Sequence, residues 1–341
     1  MSHTISLLPS NHTFSLDGAT SILDTALEKG LNLNYGCTNG KCGKCRAKLK
    51  IGTVKSIKHQ DFNFTAAEKL QHFILMCTCT ATTDLVLEAV LATNDIDVPL
   101  QEINAKLKKI NPISDYTSII HLQTPRTNTL RFLAGQNVKL GINNTSACYP
   151  IASCPCDDRN LEFLINSKNN SRFSNELFNN TSIGATIQLN GPYGQFKLQE
   201  DPQAATVFLA VDNGFAPIKS LIEHAISLDY QENIYLYFFT TQKKQHYYHN
   251  LCRSWEDALD NFTYIPIVVE VNSLKNQYYD LDSKDQDSII NKFLKAINEN
   301  FSHPEKYYYC LSAGKNTIDK LIQIISERYN TNKIQFDYVP L

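Results

Sequence analysis

The chain lacks the features that would place it in a bilayer, in a secretory route or on a nucleic acid. No apolar run approaches the roughly 20 residues that a membrane-spanning helix needs. The opening stretch, MSHTISLLPSNHTF, has neither the basic start nor the long apolar segment of an export signal. Charge of one sign is also missing. With 32 Lys and Arg against 34 Asp and Glu, the net charge is −2, which gives no basis for nucleic acid or anionic lipid as the main partner. No internal repeat and no low-complexity tract interrupts the 341 residues, a length that suits two or three domains. No Ser–His–Asp or paired-carboxylate arrangement stands out. A cytoplasmic protein without a membrane span is the expectation.

Cysteine, by contrast, is plentiful. Ten of them in a long chain without an export signal point to metal or redox use rather than to a disulfide scaffold. The segment YGCTNGKCGKCRAKL sets Cys37, Cys42 and Cys45 at C-x4-C-x2-C spacing, and ILMCTCTATTDLVLEA follows some thirty residues later. That spacing is the handhold of a plant-type 2Fe–2S cluster. Thiolates are soft ligands that suit iron–sulfide cores. The loop must wrap tightly, and Gly36, Gly40 and Gly43 permit backbone shapes closed to other residues. Structural zinc sites usually repeat C-x2-C, which this spacing does not. For the fourth ligand, spacing leaves Cys77 and Cys79 both open. The remaining cysteines, Cys148, Cys154, Cys156, Cys252 and Cys310, read as small buried hydrophobes.

The rhythm of the chain changes twice. The first segment reads as strands with one amphipathic helix in SILDTALEKG, where Ile22, Leu23, Ala26 and Leu27 share a face and Gly30 closes the helix. TNDIDVPLQEIN reads as a linker. Short alternating runs follow (SIIHLQ, QNVKLGI, LEFLIN, ATIQLN), as in a small antiparallel barrel. Then strand and helix alternate: TVFLAV before PIKSLIEHAISL, then IYLYFF, TYIPIVVE, KYYYCLSA and TIDKLIQIISERY. That pattern implies a parallel nucleotide-binding sheet.

With these residues in view, the whole chain resembles the ferredoxin–NADP reductase superfamily, in its branch with an N-terminal plant-type ferredoxin domain. That branch includes oxygenase reductase components and CDP-6-deoxyhexose reductases. The resemblance implies an α+β and α/β multidomain protein. Residues 1–96 would form a β-grasp 2Fe–2S ferredoxin domain, 100–198 an antiparallel six-stranded FAD-binding barrel, and 203–341 a parallel-sheet NAD(P)-binding domain. It implies an electron-transfer oxidoreductase that passes electrons from NADH or NADPH through FAD to the cluster, and on to a partner such as an oxygenase or a sugar dehydratase component. In ferredoxins of this type the last ligand stands seven residues before an Asp, so Asp84 selects Cys77.

The resemblance also assigns flavin and nicotinamide residues. In SACYPIAS, Tyr149 matches the tyrosine of the family's R-x-Y-S motif, with Ile151 and Ser153 following, while Ala147 stands where the Arg belongs and Pro150 replaces the Ser. A missing guanidinium removes a bidentate phosphate contact, and Arg172 in NSRFSNELF is the nearest substitute. Ser174 in that segment is expected to open a helix whose amides face the pyrophosphate. GPYGQF, with Gly191, resembles the element that ends the barrel. LAVDNGFAPIKSLIEH resembles A-x-G-T-G-I-A-P, giving Gly214 and Pro217 to the nicotinamide nucleotide, with Asp212 and Asn213 in place of Gly-Thr. CLSAG resembles the family's late C-G-P motif, with Cys310 in place and the following Gly-Pro lost, so Cys310 is expected beside the hydride-transfer position, and Tyr338 or Phe336 over the flavin. After the second strand of the nucleotide-binding sheet, Lys243 and Lys244 face either a 2′-phosphate or solvent, and His246 and His249 stand three apart without a third ligand. The departures at Ala147, Asp212 and after Cys310 leave a second class open: an electron carrier whose reductase modules have decayed.

Overall fold

Alternation of apolar and polar residues builds the first unit of this computed structural model, which describes residues 2–35, 38–89, 91, 98, 100–114, 117–126, 128–167, 171–198, 204–241, 247–269, 281 and 283–338. β1 (His3–Leu8) buries Ile5 and Leu7, and β2 (Thr13–Leu16) buries Phe14 and Leu16. Helix α1 (Ile22–Glu28) starts at Ser21, whose hydroxyl accepts from the Asp24 amide at 3.1 Å. Then come β3 (Arg46–Ile51), β4 (Val54–Ser56), α2 (Ala66–Leu70), β5 (Phe73–Leu75), β6 (Cys79–Ala81) and β7 (Leu85–Glu88). The sheet order is β2-β1-β7-β3-β5, with β4 and β6 as a separate ribbon. Ile22, Leu23 and Ala26 of α1 bury one helix face in the same core as Ile5, Leu7, Leu16 and Leu87. This is a β-grasp arrangement.

The second unit comprises β8 (Gln101–Pro112), β9 (Thr117–Gln123), β10 (Asn137–Ile142), β11 (Thr145–Pro150), β12 (Asn160–Asn166), α3 (Arg172–Asn179) and β13 (Thr186–Tyr193). All its pairings are antiparallel, in the order β11-β10-β13-β8-β9-β12. The sheet curls until its two edges meet where the Ala152 amide donates to the Glu162 carbonyl at 2.8 Å, a half-barrel around Ile103, Leu122, Val138, Phe163 and Leu189. The expected linker is shorter than its composition suggests. Gln101 to Asn104 already pair with β13, because Ile103 and Ala105 alternate inward between exposed Glu102 and Asn104.

The third unit is fully parallel: β14 (Thr206–Val211), α4 (Phe215–Ser227), β15 (Ile234–Thr240), α5 (His249–Ala258), β16 (Phe262–Val268), α6 (Ser283–Asn300), β17 (Tyr308–Ala313), α7 (Lys315–Tyr329) and β18 (Ile334–Tyr338). The order is β16-β15-β14-β17-β18. Its strands are apolar on both faces because helices cover both. Phe208, Ala210 and Phe238 meet α4, while Leu209, Tyr237 and Phe239 pack with residues of α6 and α7. Helix α6 adds an element to the expected strand–helix pattern, with Ile289, Ile290, Phe293, Leu294 and Ile297 as its buried stripe. β14 sits between β15 and β17, whose connections leave in opposite directions, so the crevice at their C-terminal ends is the switch point where ligands bind in sheets of this kind.

Candidate functional site

The cysteine loop lies between α1 and β3. Cys45 Sγ lies 3.2 Å from Cys77 Sγ, although the two are 32 residues apart in the chain. Cys45 and Cys77 are 1% and 0% exposed, whereas Cys42 is exposed. Cys37 lies outside the described residues. Gly40 adopts φ +79°, and a Cβ there would stand 2.7 Å from the His59 carbonyl oxygen, so the position requires glycine. The Cys77 thiol is lowered to about 7, first by the hydrogen bond from Cys45 and also by the Gly40 amide and the Lys58 ammonium, against its burial. That same contact and burial push Cys45 upward. Cys79 belongs to β6, paired with Ser56, and burial raises its thiol. Two soft sulfurs in contact, with a third on the same loop and an amide aimed at them, fit an iron–sulfide core.

In the half-barrel, Tyr149 ends β11 at 4% exposure, its ring 5.6 Å from that of Phe173 on α3. Arg172 is the first residue of α3 and its side chain is exposed. An aromatic plane and a cation on the neighbouring helix suit a flavin ring and its phosphates chemically, while Ala147 packs against the barrel core. Ser174 does not open α3. Ser171 does, with its Oγ accepting from the Ser174 amide at 3.0 Å, and the Ser174 hydroxyl donates inward to the Asn166 carbonyl at 2.6 Å. The Ser-x-x-Ser repeat hid which serine is the cap. Ile151 is fully buried, its amide donating to the Gln136 carbonyl. Ser153 is engaged twice: Oγ accepts from the Glu162 amide at 3.2 Å, and its carbonyl accepts from Ser220 Oγ at 2.7 Å. Gly191 lies near the end of β13, opposite Gln101.

The nucleotide end gathers at the switch point. Asp212–Asn213–Gly214 form a single 3₁₀ turn before α4, with Pro217 buried in the helix's first turn. A Cβ on Gly214 would fall 2.2 Å from the Ser312 carbonyl oxygen, so this close crossing of β14's loop over β17 admits only glycine. Asp212 is buried. Its carboxylate turns to the end of β15, where the Thr241 amide and hydroxyl donate at 3.0 and 2.8 Å, and burial raises it to about 6. Asn213 Oδ1 accepts from Tyr247 at 3.0 Å and from Thr117 of the half-barrel at 3.3 Å.

Cys310 is not at the mouth of this crevice. β17 continues three residues beyond it, pairing Leu311, Ser312 and Ala313 with Phe336, Asp337 and Tyr338, and Gly314 then caps α7. Ala313 therefore occupies the strand end before the glycine. Cys310 is 1% exposed in the core under α4, which raises its thiol to about 12. The C-terminal aromatics are corrected in the same way. Side chains alternate along β18, and Asp337 is the one that meets the barrel, accepting from Asn137 Nδ2 at 3.0 Å. Phe336 and Tyr338 face the other way, and the Tyr338 hydroxyl donates to Asp319 of α7 at 2.8 Å. The one signal for Asp337 in the sequence was a lone acid between two aromatics.

Asp337 Oδ2 is buried without a hydrogen-bond partner, and burial raises the group to about 6. A folded-state value above the unfolded one means the folded protein binds the proton more tightly. The charged form therefore costs stability above about pH 6, and the cost fades toward pH 4. In flavin-free protein, Asp337→Asn is expected to stabilise by roughly 2–3 kcal/mol at pH 8 and by little at pH 4, measured as thermal midpoints at both values.

The other cysteines divide. Cys252 is buried. Cys148 is exposed on β11, and Cys154 is joined to Cys156 by a disulfide, so these three are not buried thiols. His249 contacts the Tyr264 hydroxyl through Nδ1 at 3.3 Å, while Lys243, Lys244 and His246 lie outside the described residues. No group of three or more metal-ligating side chains that could hold an ion is found among the described residues. The half-barrel and the parallel sheet are joined through Lys219 of α4. Its Nζ donates to Glu162 at 3.0 Å, Glu223 at 2.7 Å and the Ala152 carbonyl at 3.2 Å, which uses all three protons.

Comparison with known proteins adds to this geometry. Residues 5–82 match the model of the 2Fe-2S iron-sulfur cluster binding domain, and residues 104–198 that of the oxidoreductase FAD-binding domain. A CDP-6-deoxy-L-threo-D-glycero-4-hexulose-3-dehydrase reductase of Yersinia pestis is 31% identical over 79% of this chain and 80% of its own length. The reductase component of a propane 2-monooxygenase of Rhodococcus jostii is 25% identical over 79% and 74%. Among solved structures, an Amycolatopsis cytochrome P450 reductase superposes with a TM-score of 0.58 at 17% identity, covering 98% of both chains.

Proposed function

The chain belongs to the ferredoxin–NADP reductase superfamily, in the branch that carries a plant-type 2Fe–2S domain ahead of the flavin domain, and from that premise we propose how its residues divide the work. It is an oxidoreductase that draws electrons from NAD(P)H through FAD to a 2Fe–2S cluster. When bound, the flavin takes up a hydride and gives electrons singly, and the cluster carries them one at a time. In our reading Cys37, Cys42, Cys45 and Cys77 hold the cluster, with the Gly40 amide facing the sulfurs. Tyr149 lies against the flavin ring, Arg172 and the first turn of α3 meet its phosphates, and Gly214 with the first turn of α4 takes the nicotinamide nucleotide. Gly314 stands for the glycine of the late motif, with Ala313 before it. The units divide near 1–96, 100–198 and 203–341, each holding one of the large sheets.

The observation that carries this reading is the polar stitching of all three units: Lys219 spans half-barrel and parallel sheet, and Tyr35 of the first unit donates to Asp158 of the half-barrel. A chain whose reductase modules had decayed would have little reason to keep a buried cation shared between two of them. Asp212, one motive for the carrier reading, is explained by its bonds to Thr241. We propose that the acceptor is an oxygenase or dehydratase component, the kind of system for which the relatives from Rhodococcus jostii and Yersinia pestis are named. A cytoplasmic location is part of this reading. No helix among the described residues is long and apolar enough to cross a membrane.

Anaerobic titration of the reconstituted protein tests it. Adding NADH or NADPH is expected to bleach the flavin bands first and the iron–sulfide bands after them. With Ala147 in place of a guanidinium, flavin is expected to wash out on gel filtration more readily than from a variant carrying Ala147→Arg. No flavin uptake and no NAD(P)H oxidation would leave the carrier reading standing instead.

A further inference from the structure

The first unit meets the half-barrel along the residues that flank Gly36 and Cys37. Tyr35 is 4% exposed, and its hydroxyl donates to Asp158 Oδ2. The Arg131 guanidinium lies over the Tyr35 ring, 5.5 Å from its centroid, and donates to Asn34 Oδ1 at 2.8 Å. On the far side of the pair, Thr38 Oγ1 donates to the Arg126 carbonyl at 3.5 Å. Both shoulders of the first ligand are thus tied to the barrel. Beside the polar cluster lies a small crevice lined by Leu27, Leu33, Phe132 and Pro155.

The polar cluster has a physical cost that adhesion does not need. Arg131 is 8% exposed, and burial raises both the Tyr35 phenol and the Asp158 carboxyl above their ordinary values. Burying an acid and a guanidinium together is weak evidence for stability, whereas their directional bonds define one docking geometry. The opposite edge of the loop differs: Cys42 is exposed, as are Lys41 and Lys44.

We propose that Tyr35, Asp158 and Arg131 form a positioning latch. It holds the loop at Asn34, Tyr35 and Thr38 against the flavin barrel and sets the gap that each electron crosses, and it leaves the Cys42 edge open for the outgoing partner. The proposal rests on the reading of the chain as a flavin-to-cluster reductase. One electron leaves the reduced flavin and one enters the oxidised cluster; the second crosses after a one-electron-accepting oxygenase or dehydratase component has reoxidised the cluster. Tunnelling falls steeply with separation, so a loosened latch slows this leg and no other.

The test uses the full-length reconstituted protein and the variants Tyr35→Phe and Asp158→Asn. In rapid mixing with NAD(P)H, flavin bleaching is expected to stay within about twofold of the parent. Cluster bleaching slows about tenfold or more, the size seen when supporting contacts at metal sites are cut. Hydrogen exchange without any donor gives a second readout: segments 128–135 and 153–160 lose protection in both variants, while β14 and β15 keep theirs. The double variant is expected to be no slower than the slower single one. Asp158→Asn, on the barrel side and half-buried, carries the test if Tyr35→Phe does not fold. Unchanged cluster bleaching and unchanged exchange in Asp158→Asn overturn the latch, as does equal slowing of flavin and cluster. A parent protein whose flavin bleaches while its cluster stays oxidised overturns the underlying reading, and the latch with it.

Discussion

Cys77→Ser is expected to remove the iron–sulfide absorption and to cut reduction of cytochrome c at least about a hundredfold, since even supporting changes at metal sites cost about 10- to 100-fold. Ferricyanide, a small acceptor able to reach the flavin, is expected to be reduced at close to the parent rate. The argument is local. Cys77 Sγ touches Cys45 Sγ in a buried position, so an oxygen there offers a harder donor in place of one of the two contacting sulfurs. Cys79→Ser is the matched control, because that side chain belongs to the β4–β6 ribbon. Iron and acid-labile sulfide content together with the two acceptor rates decide the matter. A variant Cys77→Ser with full iron, paired with a Cys79→Ser that loses it, would sink the ligand assignment.

Lys219→Met is expected to be the most damaging single change away from the cofactors. The ammonium is 6% exposed and is shared by Glu162 and Glu223. Without it two carboxylates face each other across the junction of half-barrel and α4, and removing one partner of a buried ion pair costs about 3–5 kcal/mol. The loss also has a pH signature. Burial already raises Glu223, opposed by Lys219. Without the cation the folded-state value of Glu223 rises further, so the folded protein binds that proton more tightly and the penalty is relieved as pH falls through the raised value. The stability deficit should therefore be largest at pH 8 and shrink toward about pH 5, measured as thermal midpoints against the parent protein. Flavin bleaching by NAD(P)H is expected to slow as well, because the nicotinamide-side crevice and the barrel lose their fixed relation. A deficit that is the same at both pH values would overturn the ion-pair account, since Met keeps an unbranched stem of similar reach and removes only the ammonium.

Much of the molecule was legible from residue order. Loop chemistry demands thiols at set spacing and glycines with left-handed backbone, and such local demands survive in the one-dimensional string. The switch from alternation with period two to strand–helix repeats likewise reports which surfaces must be covered, so three sheets of three kinds could be anticipated. Helix α3's first turn shows the limit: Ser171 and Ser174 are equivalent as symbols, and the burial of Ser174 against Asn166 decides between them.

The sequence by itself determined the cysteine loop, the sheet types and their order along the chain, because each depends on contacts within a few residues or on a repeating pattern. The tertiary structure alone decided which side chains converge between units. Strand register puts the C-terminal end of β17 at Ala313 rather than at Cys310, and β18's alternation turned Asp337 rather than Tyr338 toward the barrel. It also brought Lys219 to Glu162 and Tyr35 to Asp158, partners 57 and 123 residues apart. Pairing at such range is set by the packing of whole sheets, and no short motif encodes it.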